Sequence, residues 1–233
     1  MSRSNFELLQ MQVKALYVHD VNQRLVRINE SNPDDAVPHF FLARTATHNL
    51  WRFRYDLPNE LVDKLNRLAN AEPVMNNLRE QPYYELKYEA LLRQYMPLSN
   101  KFAGPAYYLP EFDLPPDAVI VTQQNMGLLQ ANFPYTFSHF DERTPVVVVI
   151  EDGVAIAASY TVRSTPQVAE VGVYTLDAYR GYGYAVETVR VWANAIRAIG
   201  KIPLYSTSWD NIASQSVAKK LGAVQYAVAF SIA

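Results

Sequence analysis

A chain of 233 residues, 49% apolar and 19% charged, can bury a sizeable core in one large domain or two small ones. Its formal net charge of −2 gives no electrostatic case for a nucleic-acid or anionic-membrane partner. Without cysteine there is no disulfide framework, no thiolate nucleophile and no Cys-built zinc site. No apolar run is long enough to span a bilayer, and the first residues lack the apolar core of a signal peptide, so the expected location is cytoplasmic.

In chain order, Leu9, Val13, Leu16, Tyr17, Val21, Leu25 and Ile28 fall at helical spacing and predict a helix from Phe6 to about Ile28. Asn32-Pro33-Asp34-Asp35 would stop it. The apolar runs at 39–44 and 50–55 flank a turn-prone segment and read as a β-hairpin. Helices follow from about Leu57 to Ala71 and from about Tyr84 to Tyr95. Gly104, Pro105, Pro110, Pro115 and Pro116 make 102–116 a poor place for regular structure, and this segment reads as a linker. Residues 1–112 are thus expected to form an N-terminal, mainly helical region with one hairpin, and residues 113–233 a second domain.

The second half has a different rhythm. Short strands are expected at 118–122, 145–150 and 154–162, the last two joined by an Asp152-Gly153 turn. Residues 125–133 read as a short helix or turn, and 168–175 as a further strand. Val189, Trp192, Ala193 and Ile196 mark one face of a helix that Gly200 ends. A strand at 204–209, a helix at 211–221 and an alternating strand at 224–232 complete a mixed α/β (α+β) sheet.

The segment from Val171 to Ala185 carries the chemistry. A strand containing Val173, Tyr174 and Thr175 runs into Arg180-Gly181-Tyr182-Gly183-Tyr184-Ala185 at a helix start. Glycines there allow positive φ and close approach to the main chain, and the first N–H groups of the helix can hold phosphate oxygens. Arg180 offers a charge-assisted bond. The bland alternative is a tight strand-to-helix connection without a ligand. A P-loop fits poorly, because no Lys-Ser or Lys-Thr follows the glycines. The dinucleotide fingerprint fits poorly too: its third glycine position is Val186, and no acidic residue stands about twenty positions on.

A second motif runs from Ser206 to Gly222. A hydroxyl-rich strand ends where a helix begins, so Asp210 or Asn211 could simply cap that helix. In the functional reading, Asn211 and Ser214 turn toward an elongated polar ligand.

Together these residues resemble the GCN5-related N-acetyltransferase (GNAT) superfamily, over roughly 117–233. Arg180-Gly-Tyr-Gly-Tyr-Ala185 matches that family's pyrophosphate loop, and Asn211 to Gly222 looks like its Asn-x-x-Ser…Lys-Leu-Gly helix. The resemblance implies a mixed, largely antiparallel sheet flanked by helices. It also implies that acetyl-CoA is the cofactor, with its pyrophosphate on the N–H groups of Gly181, Tyr182, Gly183, Tyr184 and Ala185 and with Arg180 beside it. Its pantetheine arm would run along Val173, Tyr174 and Thr175, where the strand splays from its neighbour, and Asn211 would contact the amides. The reaction implied is direct attack of a primary amine in a ternary complex. Glu170 is then the expected base, directly or through water, though it could equally be a surface carboxylate at a strand start. Many members place a Tyr seven residues after the Asn to protonate the leaving thiolate, but that position is Ala218 here. Ser214, Ser216 or water would have to substitute, or the thiolate leaves unassisted.

The expected partner is a small-molecule amine or a peptide, with residues 1–112 covering the acceptor side. No nucleic acid, membrane or metal is expected, and a homodimer stays open. A non-catalytic acyl-CoA sensor is the alternative, favoured by the missing Tyr. Arg52 and Arg54 share a strand face that reads as solvated, or more sharply as lining an acceptor or anion site.

Overall fold

The computed structural model describes residues 3–30, 36–113 and 118–233. The expected helix stop at 32–35 and the prolines at 115 and 116 lie outside the described residues. In chain order the elements are α1 (Asn5–Leu16), β1 (Tyr17–His19), β2 (Leu25–Ile28), β3 (Phe40–Arg44), β4 (Asn49–Phe53), α2 (Asn59–Asn70), α3 (Glu85–Arg93) and β5 (Lys101–Tyr108). Then come β6 (Ala118–Ile120), α4 (Pro134–Ser138), α5 (Phe140–Arg143), β7 (Val146–Glu151), β8 (Val154–Ser164), β9 (Val168–Thr175), α6 (Tyr184–Ala198), β10 (Ile202–Ser206), α7 (Ile212–Lys220) and β11 (Val224–Ile232). Single 3-10 turns occupy Met126–Leu129 and Asp177–Tyr179. None of the described helices is long and apolar enough to cross a membrane.

The chain divides into two compact units. One comprises Met1–Ala106, Ser206–Asn211 and Gln225–Ala233, and the other Tyr107–Tyr205 and Ile212–Val224. In the first unit the sheet order is β4–β3–β11–β5, with β3 antiparallel to both β4 and β11. Leu61 and Leu65 of α2 and Tyr88 and Leu92 of α3 bury their faces against Phe40, Leu42, Phe230 and Ile232. Glu72 is buried there, but it accepts hydrogen bonds from the Tyr83 and Tyr84 amides and from the Tyr88 hydroxyl, so its polar atoms are satisfied.

Two expectations fail in this unit for physical reasons. The helix expected from Phe6 to Ile28 ends at Leu16, and Tyr17–His19 and Leu25–Ile28 form an antiparallel pair instead. Between them Asp20 Oδ1 accepts the amides of Asn22 (2.8 Å) and Arg24 (2.9 Å), and Gln23 sits at φ 61°. A side chain that binds its own backbone in this way competes successfully with helix propagation. The proposed linker at 102–116 is also corrected, since its first part is strand β5. The Pro105 carbonyl accepts from the Thr207 amide at 3.3 Å and the Ala103 carbonyl from the Trp209 amide at 2.9 Å. Gly104 is present because the chains approach closely: a Cβ there would lie 1.8 Å from the Thr207 carbonyl oxygen.

In the second unit the strands β6 to β10 and the helices α6 and α7 follow the expected order, whereas the expected final strand, β11, belongs to the first unit apart from Val224. The second unit's sheet runs β6–β7–β8–β9–β10, antiparallel throughout except for the parallel pair β9–β10. Asp152 (φ 49°) and Gly153 (φ 79°) make the β7–β8 turn, both at the positive φ that such a hairpin requires. Trp192, Val189, Ala193 and Ile196 of α6 cover one sheet face, against Val147, Ala169, Val171 and Tyr205. Leu129, Phe133 and Phe140 cover the other, against Val146, Val148, Ala155 and Ala158. The helices α4 and α5 were not expected; Pro134 opens the first of them at a position where a missing N–H costs nothing. Strand β10 begins two residues before the expected start at Leu204.

Candidate cofactor and active site

The site is built around β9. Along one edge β9 is paired with β8 from Ala169 to Thr175, with an irregularity at Thr161/Arg163. Along the other edge its pairing with β10 has only three rungs, Val168–Ile202, Ala169–Pro203 and Glu170–Leu204. Beyond Glu170 the two parallel strands separate, so Val171–Thr175 has a ladder on one side only. A strand edge of this kind presents backbone donors and acceptors to an extended partner.

The strand then turns into α6 through Asp177–Tyr179 and Arg180–Gly183. Gly181 (φ 91°) and Gly183 (φ 96°) both occupy the left-handed region, and nothing lies within 4 Å of a Cβ built on either. Gly183 is the N-cap of α6, and no side chain caps the helix. Its carbonyl already accepts the amides of Val186 (2.8 Å) and Glu187 (3.2 Å), which leaves Tyr184 and Ala185 at positions without an intrahelical acceptor. Fifteen residues of helix dipole end at this point and favour an anion there. Arg180 is exposed; its Nη2 is 2.7 Å from Asp177 Oδ1 and its Nε donates to the Thr175 carbonyl at 3.3 Å. The guanidinium is thus tied to the end of β9 and to the 3-10 turn that precedes the glycines.

Side chains alternate along β9. Ala169 and Val171 face α6, with Val173 packed at the margin of the same cluster. Glu170, Gly172 and Tyr174 therefore share the opposite face, where the Tyr174 ring meets Phe133 edge-on at 6.2 Å. Glu170 is only 2% exposed, so it is not a surface carboxylate. Its Oε2 accepts a 3.0 Å bond from Arg163 Nη1, its register partner on β8. This contact fixes the carboxylate at the last paired rung, where the β9–β10 gap opens.

Ser214 lies on α7, and its Oγ is 2.7 Å from the hydroxyl of Tyr205 on β10. The Tyr205 hydroxyl is also 3.3 Å from the Ser214 carbonyl. Tyr205 is buried, and that burial pushes its hydroxyl above the ordinary tyrosine range and keeps it protonated at neutral pH. Sequence reading passed over this residue. It sits within a plain apolar strand, and only the fold brings its hydroxyl to Ser214, nine positions away. Ala218 is fully enclosed in the core of α7, so a Tyr does not fit there without repacking. Asn211 is exposed immediately before α7; its amide donates to Ser208, and it belongs to the first unit. The structure thus joins Glu170, Val173–Thr175 and Arg180–Ala185 on one strand, turn and helix start, and it couples Ser214 to Tyr205.

Residues 121–224 match the family described as the Acetyltransferase (GNAT) domain. No curated protein sequence matches the chain. Among solved structures, a GCN5-related N-acetyltransferase-like protein from Streptococcus suis is similar at 16% identity and TM-score 0.50, over 86% of each chain. An acetyltransferase of the GNAT family from Colwellia psychrerythraea aligns over 100% of this chain and 98% of its own, at 15% identity and TM-score 0.48. A GNAT-family structure from Novosphingobium aromaticivorans shares 21% identity over 58% of this chain and 66% of its own, at TM-score 0.48. At 16% identity the likeness to the Streptococcus suis protein is one of fold alone. The splayed strand pair and the glycine turn both lie within residues 121–224, the part of the chain that matches the Acetyltransferase (GNAT) domain family.

Proposed function

We propose that the protein is an acetyl-CoA-dependent N-acetyltransferase acting on a primary amine, a small molecule or a peptide. The observation that carries this reading is the one-sided strand Val171–Thr175 ending in an uncapped helix start. An extended amide-bearing arm and a pyrophosphate fit those two features in sequence. The backbone of Val173, Tyr174 and Thr175 holds the arm, and the N–H groups from Gly181 to Ala185 hold the phosphates, with Arg180 at the lip. The contact of Asn211 with the arm's amides is a proposal of the same kind, taken from the family resemblance. Acetyl-CoA, when bound, supplies an acetyl thioester as acyl donor.

The residues of this chain then do the proton work. Glu170 accepts a proton from the acceptor ammonium, directly or through a water, and Arg163 keeps its carboxylate oriented. Ser214 donates to the departing sulfur and is reprotonated by Tyr205, which recovers its proton through water from the newly acetylated nitrogen and so takes over the place of the Tyr missing at Ala218. General acid–base contributions of this kind are typically about 10²–10⁴-fold. Glu170→Gln should therefore lower kcat by about 100-fold or more and leave acetyl-CoA affinity unchanged. A wild-type pH–rate profile in that variant would remove Glu170 as the base. The same series on Tyr205→Phe should lower kcat and alter the alkaline limb; an unaltered limb would make Tyr205 a packing residue only. CoA release measured with acetyl-CoA and a panel of amines tests the activity itself. Binding without turnover on any amine would point instead to the acyl-CoA sensor that the missing Tyr allows.

A further inference from the structure

Arg52 has no part in the reading above, and its surroundings are unusual for an arginine. It lies on β4, the end strand of the first unit's sheet, and lines a pocket of about 380 Å³. Arg24 lines the same pocket from the turn after β1, together with the amide side chains of Asn22, Gln23 and Asn66 and the Trp51 ring. Among the described residues no acidic side chain lines it. Arg24 is fixed by neutral acceptors, its Nη1 donating to the Leu57 carbonyl (3.2 Å) and its Nη2 to Asn59 Oδ1 (3.0 Å). Among the described residues its charge is therefore positioned by neutral groups and not by a carboxylate.

Arg52 is the stronger case. Its Nη1 donates to its neighbour's carbonyl, Trp51 O, at 2.7 Å, and its buried Nε has no acceptor among the described residues. Burial alone acts on its guanidinium, whereas the next arginine along, Arg54, is paired with Asp56 at 2.6 Å. A half-buried cation with no counter-charge among the described residues is costly. Proteins normally meet that cost with a carboxylate, and none of the described residues supplies one here. Arginine's planar fork suits an oxyanion, and the Trp51 ring with the amides around it suits a small organic body. His19, whose buried Nε2 also has no partner among the described residues, feels the positive field of Arg52.

We propose that this pocket binds a small oxyanion, a carboxylate or a phosphate monoester, between Arg52 and Arg24. All its residues belong to the first unit, so this site does not depend on the acetyl-CoA reading. Trp51 supplies a local probe, because its indole N–H donates to Asn66 at the pocket. Titrating the Gly183→Val chain with inorganic phosphate and, separately, with benzoate at constant ionic strength keeps the α6 terminus out of the measurement. Saturable perturbation of the Trp51 indole signal by either anion is expected, and the anion that saturates at lower concentration identifies the class. Arg52→Met should weaken that binding at least tenfold. Arg24→Gln should do the same, and it carries the test if the first variant does not fold. A linear response that sodium chloride reproduces, or unchanged affinity in the arginine variants, would overturn the proposal.

Discussion

Gly104→Ala is expected to destabilise the protein by more than about 3 kcal/mol, at or beyond the upper end of ordinary overpacking. The added methyl would sit 1.8 Å from the Thr207 carbonyl oxygen and 2.8 Å from the Ser208 Cα. Both are backbone atoms, so no rotamer change relieves the clash. The strand segments must move apart, which breaks the bonds from Thr207 to Pro105 and from Trp209 to Ala103. Urea unfolding followed by circular dichroism measures the loss. Gly127→Ala is the control, since nothing lies within 4 Å of that position, and it should change stability little. Equal midpoints for the two variants would show that β5 does not approach Thr207 as described.

Gly183→Val should cost at least about 100-fold in CoA affinity, about 2.7 kcal/mol by the usual conversion. Two effects combine. At φ 96° a β-branched residue is strained, by an amount on the order of 1–3 kcal/mol. The open space in front of Gly183 is also where phosphate oxygens would approach the helix N–H groups, and the new methyls would fill it. Because no protein atom lies there, the fold should persist with only a lowered melting temperature. Gly200→Val separates the two effects: it carries similar strain at φ 78° at the other end of α6, and it should leave CoA affinity intact. Titration calorimetry on both variants makes the comparison. Unchanged affinity in Gly183→Val would sink the phosphate-loop assignment.

The parts of this molecule that were legible in the sequence are those governed by local rules. Alternation in Val224–Ile232, the Asp152-Gly153 turn and the α6 face marked by Val189, Trp192 and Ile196 each follow from one periodicity or one turn type. The glycine turn at 180–185 was legible for the same reason, because positive φ at a helix start selects glycine. What escaped depends on contacts between distant segments. Gly104 and Pro105 look like linker residues until Thr207 and Trp209 are laid beside them. Tyr205 looks like core until Ser214 reaches its hydroxyl. The false extension of α1 has a different origin: Val21, Leu25 and Ile28 kept helical spacing by chance, while Asp20 and Gln23 turned the backbone. Arg52 and Arg54 share a strand face in the sequence, yet Asp56 pairs with one and burial isolates the other.

The central claim is that acetyl-CoA lies along β9 and ends on the start of α6. Hydrogen–deuterium exchange with and without acetyl-CoA at one hundred times its Kd tests this most directly. Ligand at that excess stabilises the whole fold by about 2.7 kcal/mol. Beyond this uniform effect, the account predicts added amide protection concentrated in Val171–Thr175 and from Gly181 to Val186. Binding that protects other segments and leaves these two unchanged, or no binding at all, would contradict it.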